Sequence, residues 1–265
     1  MMRPEVLRQT LYLQRRSIAI WAVSLALLVA MYAALWPSIR DQPALTAVLE
    51  DLPEVLRSLL AGADMSTPIG YVQTELLALT GPLLIILFAV AAGAGGIAGE
   101  EDRRRLELLL ANPIRRTRVV LEKVGAMMVG TVVLVTAMGA ALWLAGFLGG
   151  PQLPVGNLVA AMVHLALLGL VFGSAAAAVG AATGSLAASR AVPGVLAVLA
   201  YAVNGLAPLV SWLEPFRALS PFYQYSGHQP LVNGLSLPSV LVAALTVGVL
   251  TAAAMAAFRR RDVAG

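Results

Sequence analysis

LLALTGPLLIILFAVAAGAGGIAG, residues 76–99, contains no charged side chain and is bounded by Glu75 and Glu100. A helix needs about 20 mostly apolar residues to cross a bilayer's hydrocarbon core. This stretch is long enough and reads as a transmembrane helix. Downstream, after a dense run of charges, residues 124–189 are again uncharged throughout. That is too long for one helix. The clusters Gly149-Gly150-Pro151 and Pro154-Val155-Gly156 punctuate it, because Gly and Pro break helices. It divides into spans at about 124–148 and 157–187. Further spans fall at about 17–39, 191–213 and 237–258, each flanked by charge or by turn residues.

Composition agrees with six spans. Of 265 residues, 59% are hydrophobic and 12% are charged, where a soluble domain carries about 25% charged residues. The expected fold is an all-α integral membrane protein with one transmembrane domain over residues 1–265. The absence of cysteine excludes disulfides, thiolate metal sites and a cysteine nucleophile. The first span is longer than a signal peptide's apolar core and lacks a small-x-small cleavage site, so it reads as a retained span.

Basic residues orient the chain. With the N-terminus in the cytoplasm, the inner side collects Arg3, Arg8, Arg15, Arg16, the basic residues from Arg103 to Lys123, Arg190 and Arg259 to Arg261. The outer side keeps Arg40, Arg57 and Arg217. Both termini are therefore expected to be cytoplasmic. The net charge of +4 then belongs to a membrane surface, and no nucleic-acid partner is expected.

The segments between spans carry their own patterns. Residues 1–16 place Val6, Leu7, Leu11 and Leu13 among arginines, which suits an interfacial helix or a frayed tail. In the outer segment 40–75, Leu45, Val48, Leu49, Leu52, Leu56, Leu59 and Leu60 form a helical stripe broken at Pro53. It suits an amphipathic lid, or a gate. The run Glu100-Glu101-Asp102-Arg103-Arg104-Arg105-Leu106 cannot sit in lipid, because each Arg or Asp costs roughly 2.5–3.5 kcal/mol at a helix centre. Yet Leu106, Leu109, Leu110 and Pro113 recur at helical spacing on one face, and Asn112-Pro113 stops the helix. Such a helix either docks in a groove on another protein or lies flat on the membrane. In and just before the outer segment 214–236, Trp212, Phe216, Phe222, Tyr223 and Tyr225 cluster near Glu214. These aromatics suit interfacial anchoring, or an outer gate.

Catalytic constellations are missing from the sequence. There is no G-x-x-x-x-G-K-[ST] phosphate loop, and the only lysine, Lys123, is not in a Gly-rich loop. His164 and His228 are far apart and lack partners at zinc-ligand spacing. G-x-S-x-G and zinc-protease motifs are absent. Inside a span, His164 is a functional candidate for substrate or proton handling, set against a neutral ring bonded to a neighbouring helix. Gly95 with Gly99, and Gly169, Gly173, Ala177 and Ala181, recur every fourth residue and suit close helix packing.

The run from Gly99-Glu100-Glu101 through Leu106-Glu107-Leu108-Leu109-Leu110 to Pro113-Ile114-Arg115-Arg116 resembles the cytoplasmic segment after the second span of ABC-2 type permeases. Ser220-Pro221-Phe222-Tyr223 is similar to the outer loop before the sixth span in export permeases of that family, and the Arg-Arg-Arg-Asp tail is similar as well. Arg105 stands where the family often has a small residue. The resemblance implies an ABC-2, type V exporter-like permease fold in a prokaryotic cell membrane. Residues 100–116 would form the coupling helix, with Glu100, Glu101, Arg103, Arg104, Leu106, Leu109, Leu110 and Pro113 its contact residues. His164, Glu214, Phe222 and Tyr223 are candidates for the pathway or its gate. The implied partners are a dimer of cytoplasmic ABC ATPase subunits, which would bind ATP and magnesium, and a second permease chain, a homodimer before a heterodimer, with the first and fifth spans near the interface. This chain itself would hold no cofactor and no metal, and would not be an enzyme. Substrates of the family range over drugs, antibiotics, lipids, polysaccharides and ions. Other classes open to such a chain are an ion-coupled carrier and a membrane scaffold or sensor.

Overall fold

The computed structural model describes residues 5–40, 65–103 and 115–261. The stripe at 43–60 and the residues Arg104, Leu106, Leu109, Leu110 and Pro113 lie outside them. The described residues form helices and connecting turns, with no strand among them. Six helices are long and apolar enough to cross a membrane: Glu5–Arg40, Pro68–Gly96, Arg116–Phe147, Val155–Thr183, Leu186–Leu209 and Leu237–Arg260. Helix is what hydrocarbon imposes, since it satisfies every backbone N–H and C=O within the segment.

The helices overrun the uncharged stretches. The first is a single helix of 36 residues, about 54 Å at 1.5 Å per residue against a hydrocarbon core of about 30 Å. Residues 5–16 thus continue the first span and do not form a separate interfacial helix. No breaker separates them from it, and their first turn is anchored: the Leu7 N–H donates to Glu122 Oε2 of the third span at 2.9 Å. The third span starts at Arg116 and takes in Arg118, Glu122 and Lys123. The second begins at Pro68 and carries Glu75 within it. Charge marks where lipid must end, and a helix can continue beyond that point.

The fourth span is the hub. Its apolar window is 72% buried, against 17% for the first and fifth. It packs against the second, third, fifth and sixth spans, while the first lies along the third. Small residues allow this. A Cβ on Gly93 would lie 2.2 Å from Gly173 O, and one on Gly173 would lie 2.5 Å from the Met127 sulfur and 2.9 Å from Ala89 O. The Gly169 and Gly173 stripe therefore serves packing within the chain. By contrast, a Cβ on Gly95 would meet nothing within 4 Å.

The second span is bent near its start. Thr67 caps it, accepting from the Gly70 N–H at 3.1 Å. A π-helical turn follows at Gln73–Leu77, and the backbone breaks at Leu79 (φ −135°, ψ −52°). Pro82 lacks the N–H that would bond four residues back, and its ring crowds that carbonyl, so the helix yields just ahead of it.

Candidate functional site

Two regions collect the polar chemistry, one at each end of the bundle. At the basic end the second span closes at Gly96, and a short helix, Ala98–Asp102, turns away from it. Glu100 pairs with Lys123 of the third span. Lys123 is buried, and its stem lies against Gly96, where a Cβ would be 3.3 Å from Lys123 Cβ. A buried ammonium persists only when paired.

Glu101 pairs with Arg261, just past the sixth span. Arg261 Nη1 also donates to Gly180 O at 3.2 Å and Ala181 O at 3.3 Å, carbonyls of the last turn of the fourth span. That helix ends in left-handed Gly184 (φ 68°), where a Cβ would come within 2.8 Å of Arg261 Nη1. Glycine supplies both the conformation and the room. Arg116, the first residue of the third span, donates to Arg261 O at 2.5 Å and Phe258 O at 3.4 Å, with its guanidinium 5.8 Å from the Phe258 ring centre. The residues flanking 104–114 are therefore bound on both sides: Glu100 and Glu101 before the segment and Arg116 after it. Glu100 and Glu101 face cations of their own chain. Arg103 and Arg115 are exposed.

At the opposite end, short helices Glu214–Arg217, Pro221–Ser226 and Pro230–Asn233 fill the gap between the fifth and sixth spans. His164 lies about 14 Å along the fourth span from Val155, at 1.5 Å per residue. It is 2% exposed. Its Nε2 accepts from the Ser236 N–H at 3.3 Å, so Nδ1 carries the proton and donates to Gln224 O at 2.9 Å. Both ring nitrogens are satisfied and the ring is neutral. It serves here as a strut between the fourth span, the short helices and the start of the sixth span. The ring is bonded on both sides to neighbouring elements and also faces a small cavity.

Phe222 is buried, its ring centre 6.0 Å from Phe172 and 5.2 Å from Tyr201. Ser220 caps the helix, accepting from the Phe222 N–H at 3.2 Å and donating to Ala200 O at 2.8 Å. Tyr223 lies under the Arg217 guanidinium, 5.3 Å from the ring centre. Glu214 is exposed. Two more residues complete the region: Tyr225, read from the sequence only as one of the outer aromatics, and Asn157, which sequence reasoning did not single out. Tyr225 donates to Leu77 O at 2.8 Å, a carbonyl beside the break in the second span, and burial pushes its phenol pKa up. Asn157 donates to Leu231 O and Val232 O at 2.9 and 3.0 Å. An asparagine between apolar runs was a readable signal. The Tyr225 bond depends on a break that the sequence hints at only through Gly81-Pro82.

Beneath His164 lies a cavity of about 60 Å³, with Gln224, Tyr225 and Thr246 among its lining. A larger open cleft of about 550 Å³ lies between the third and fourth spans, lined by Val132, Gly139, Trp143, Met162 and neighbouring apolar residues. Among the described residues no three His, Cys, Asp or Glu side chains gather as a metal site would require.

A family model described as "Multidrug efflux system permease Rv1217c, C-terminal domain" matches residues 7–259. A search of curated proteins finds no match.

Proposed function

Since the chain belongs to this family of multidrug efflux system permeases, we propose that it is the membrane subunit of an ATP-driven exporter in a prokaryotic cell membrane. Two copies form the pathway, and a separate pair of ATPase subunits docks on the 100–116 segment. The observation that carries this reading is the anchoring of both flanks of residues 104–114. Glu100 on one side pairs with Lys123 of the third span, and Glu101 and Arg116, from the two sides, both meet Arg261 at the end of the sixth; Arg261 in turn holds the end of the fourth span. A push on the intervening segment has attachments to the spans to act through. The sequence has no phosphate loop of its own, so the ATP and its magnesium belong to the partner.

Other features are consistent with it. The basic end suits the cytoplasm, where an ATPase waits. The first and fifth spans leave Ile20, Val23, Leu27, Val195, Val198 and Leu199 exposed, and a second copy can pack there. An ion-coupled carrier is disfavoured, because both nitrogens of His164 are already engaged.

The test is co-purification of the ATPase with Leu109→Asp. Burying a leucine contributes about 1.5–3 kcal/mol, and a carboxylate in its place opposes docking. The expected result is loss of the ATPase, with Leu56→Asp as a control that retains it. Wild-type ATPase recovery with Leu109→Asp would remove the segment from the coupling role.

A further inference from the structure

We propose that Arg261 is a positioning residue, a clasp that joins the two flanks of the 104–114 segment to each other and makes the fourth and sixth spans follow that segment as one body. The proposal rests on the coupling reading above and adds the route by which movement leaves the segment. Arg261 makes contacts to three separate parts of the chain. Its Nη2 pairs with Glu101, on the helix before the segment. Its Nη1 donates to Gly180 O and Ala181 O, at the end of the fourth span. Its carbonyl accepts from Arg116, on the helix after the segment. Arg261 itself directly follows the sixth span, whose last turn Arg116 also holds through Phe258 O.

The chemistry suits that task. A guanidinium presents five donors in a planar fork, so it can hold a carboxylate and helix-end carbonyls at once. The carbonyl end of a helix favours a cation. The pair is largely shielded, with side-chain exposures of 17% for Arg261 and 19% for Glu101, which limits screening by salt. Glycine at position 184 leaves space for the guanidinium. Lysine could hold Glu101 or the carbonyls, but a single ammonium on a flexible stem cannot match the fork.

The experiment uses the full permease–ATPase complex and needs no substrate. The chain has no cysteine, so spin labels on Leu35→Cys and Leu245→Cys, both exposed and outside the face given to the second copy, report movement of the sixth span against the first. Distances are compared in ADP and in trapped ATP. In the otherwise unaltered complex, ATP shifts the distance distribution. With Arg261→Ala the ATPase is expected to remain bound while the ATP-dependent shift falls about tenfold, within the usual range of coupling between sites. Arg261→Lys should keep part of the shift. Glu101→Gln leaves the carbonyl contacts of Arg261 in place and guards against misfolding; it should lose most of the shift as well. A lowered melting temperature with the shift intact in Arg261→Ala or Glu101→Gln would make Arg261 a structural cap only and overturn the proposal. Loss of the ATPase from Leu109→Asp is read separately, so failure of the docking reading and failure of the clasp give different results.

Discussion

The two ends of the bundle are closed by different chemistry. At the basic end Lys123, Arg116 and Arg261 reach across several helices to carboxylates and to carbonyls at helix ends. At the opposite end the links are neutral apart from the Arg217 guanidinium over Tyr223. His164, Tyr225, Ser220 and Asn157 each bond backbone groups of another element, and Phe222 packs against rings of the fourth and fifth spans. The difference matters for movement. Attraction between charges falls off slowly with distance, so an ion-paired cluster can shift and still hold. A hydrogen bond weakens steeply once its geometry is lost, and aromatic packing needs contact. The basic end is suited to transmitting a displacement, and the opposite end to being either shut or open.

The hardest way to break both ends together is through the hub that joins them. Gly173→Leu places a side chain against Met127 and the Ala89 carbonyl. Overpacking costs typically about 1–3 kcal/mol and occasionally more. Here backbone must move, so the expectation is failure to recover monodisperse protein. Gly95→Leu, with nothing near its Cβ, should purify normally. Size-exclusion profiles in detergent decide between them.

Next in size are losses at the neutral end. His164→Ala strands the Ser236 N–H and the Gln224 carbonyl. Tyr225→Phe strands only Leu77 O. An unsatisfied buried group costs about 1–3 kcal/mol; Leu77 O is buried and the two groups stranded by His164→Ala are half-buried, so both variants should melt lower, His164→Ala by more because it strands two groups and empties a buried site. Tyr223→Phe, at a half-buried ring with no comparable bond, should stay close to wild type. Equal melting temperatures for all three would show that this end is not held by its hydrogen bonds.

The smallest expected effect sharpens the contrast. Lys123→Met alone leaves Glu100 unpaired, but that carboxylate is 23% exposed and can be hydrated. The double variant Lys123→Met with Glu100→Gln removes both charges, and replacing a pair by apolar or neutral groups is often nearly neutral. The double variant should be at least as stable as the single one in thermal unfolding. A double variant less stable than the single would mean that the pair is not the reason these residues hold together.

Much of the fold was legible because lipid permits few solutions. Uncharged runs of span length have to be helices, and the punctuation at Gly149-Gly150-Pro151 separated two of them correctly. Helix ends were less legible. Glu5 to Arg16, Glu75, and Arg116 to Lys123 all lie on helices that extend beyond the uncharged runs, since charge limits lipid contact and leaves helix free to continue. At the candidate sites, Glu100, Glu101, His164 and Phe222 were found by residue type, but their partners were not. Arg261, Tyr225 and Asn157 act on groups 160, 148 and 74 residues away, and no local pattern encodes such pairings.

The sequence by itself determined that this is a membrane protein of six span-length helices with basic residues gathered at one end, because hydrocarbon excludes charge and demands an internally bonded backbone. The likeness of residues 99–116 to one permease family was also readable there. Only the tertiary structure decided which helix is the hub, that Glu100 and Glu101 pair with cations of their own chain, and which backbone groups His164 bonds. Those outcomes depend on which small residues let two backbones approach, as Gly93 and Gly173 do. They depend as well on which side chains then come within about 3 Å of a carbonyl, a matter of three-dimensional distance that chain order does not carry.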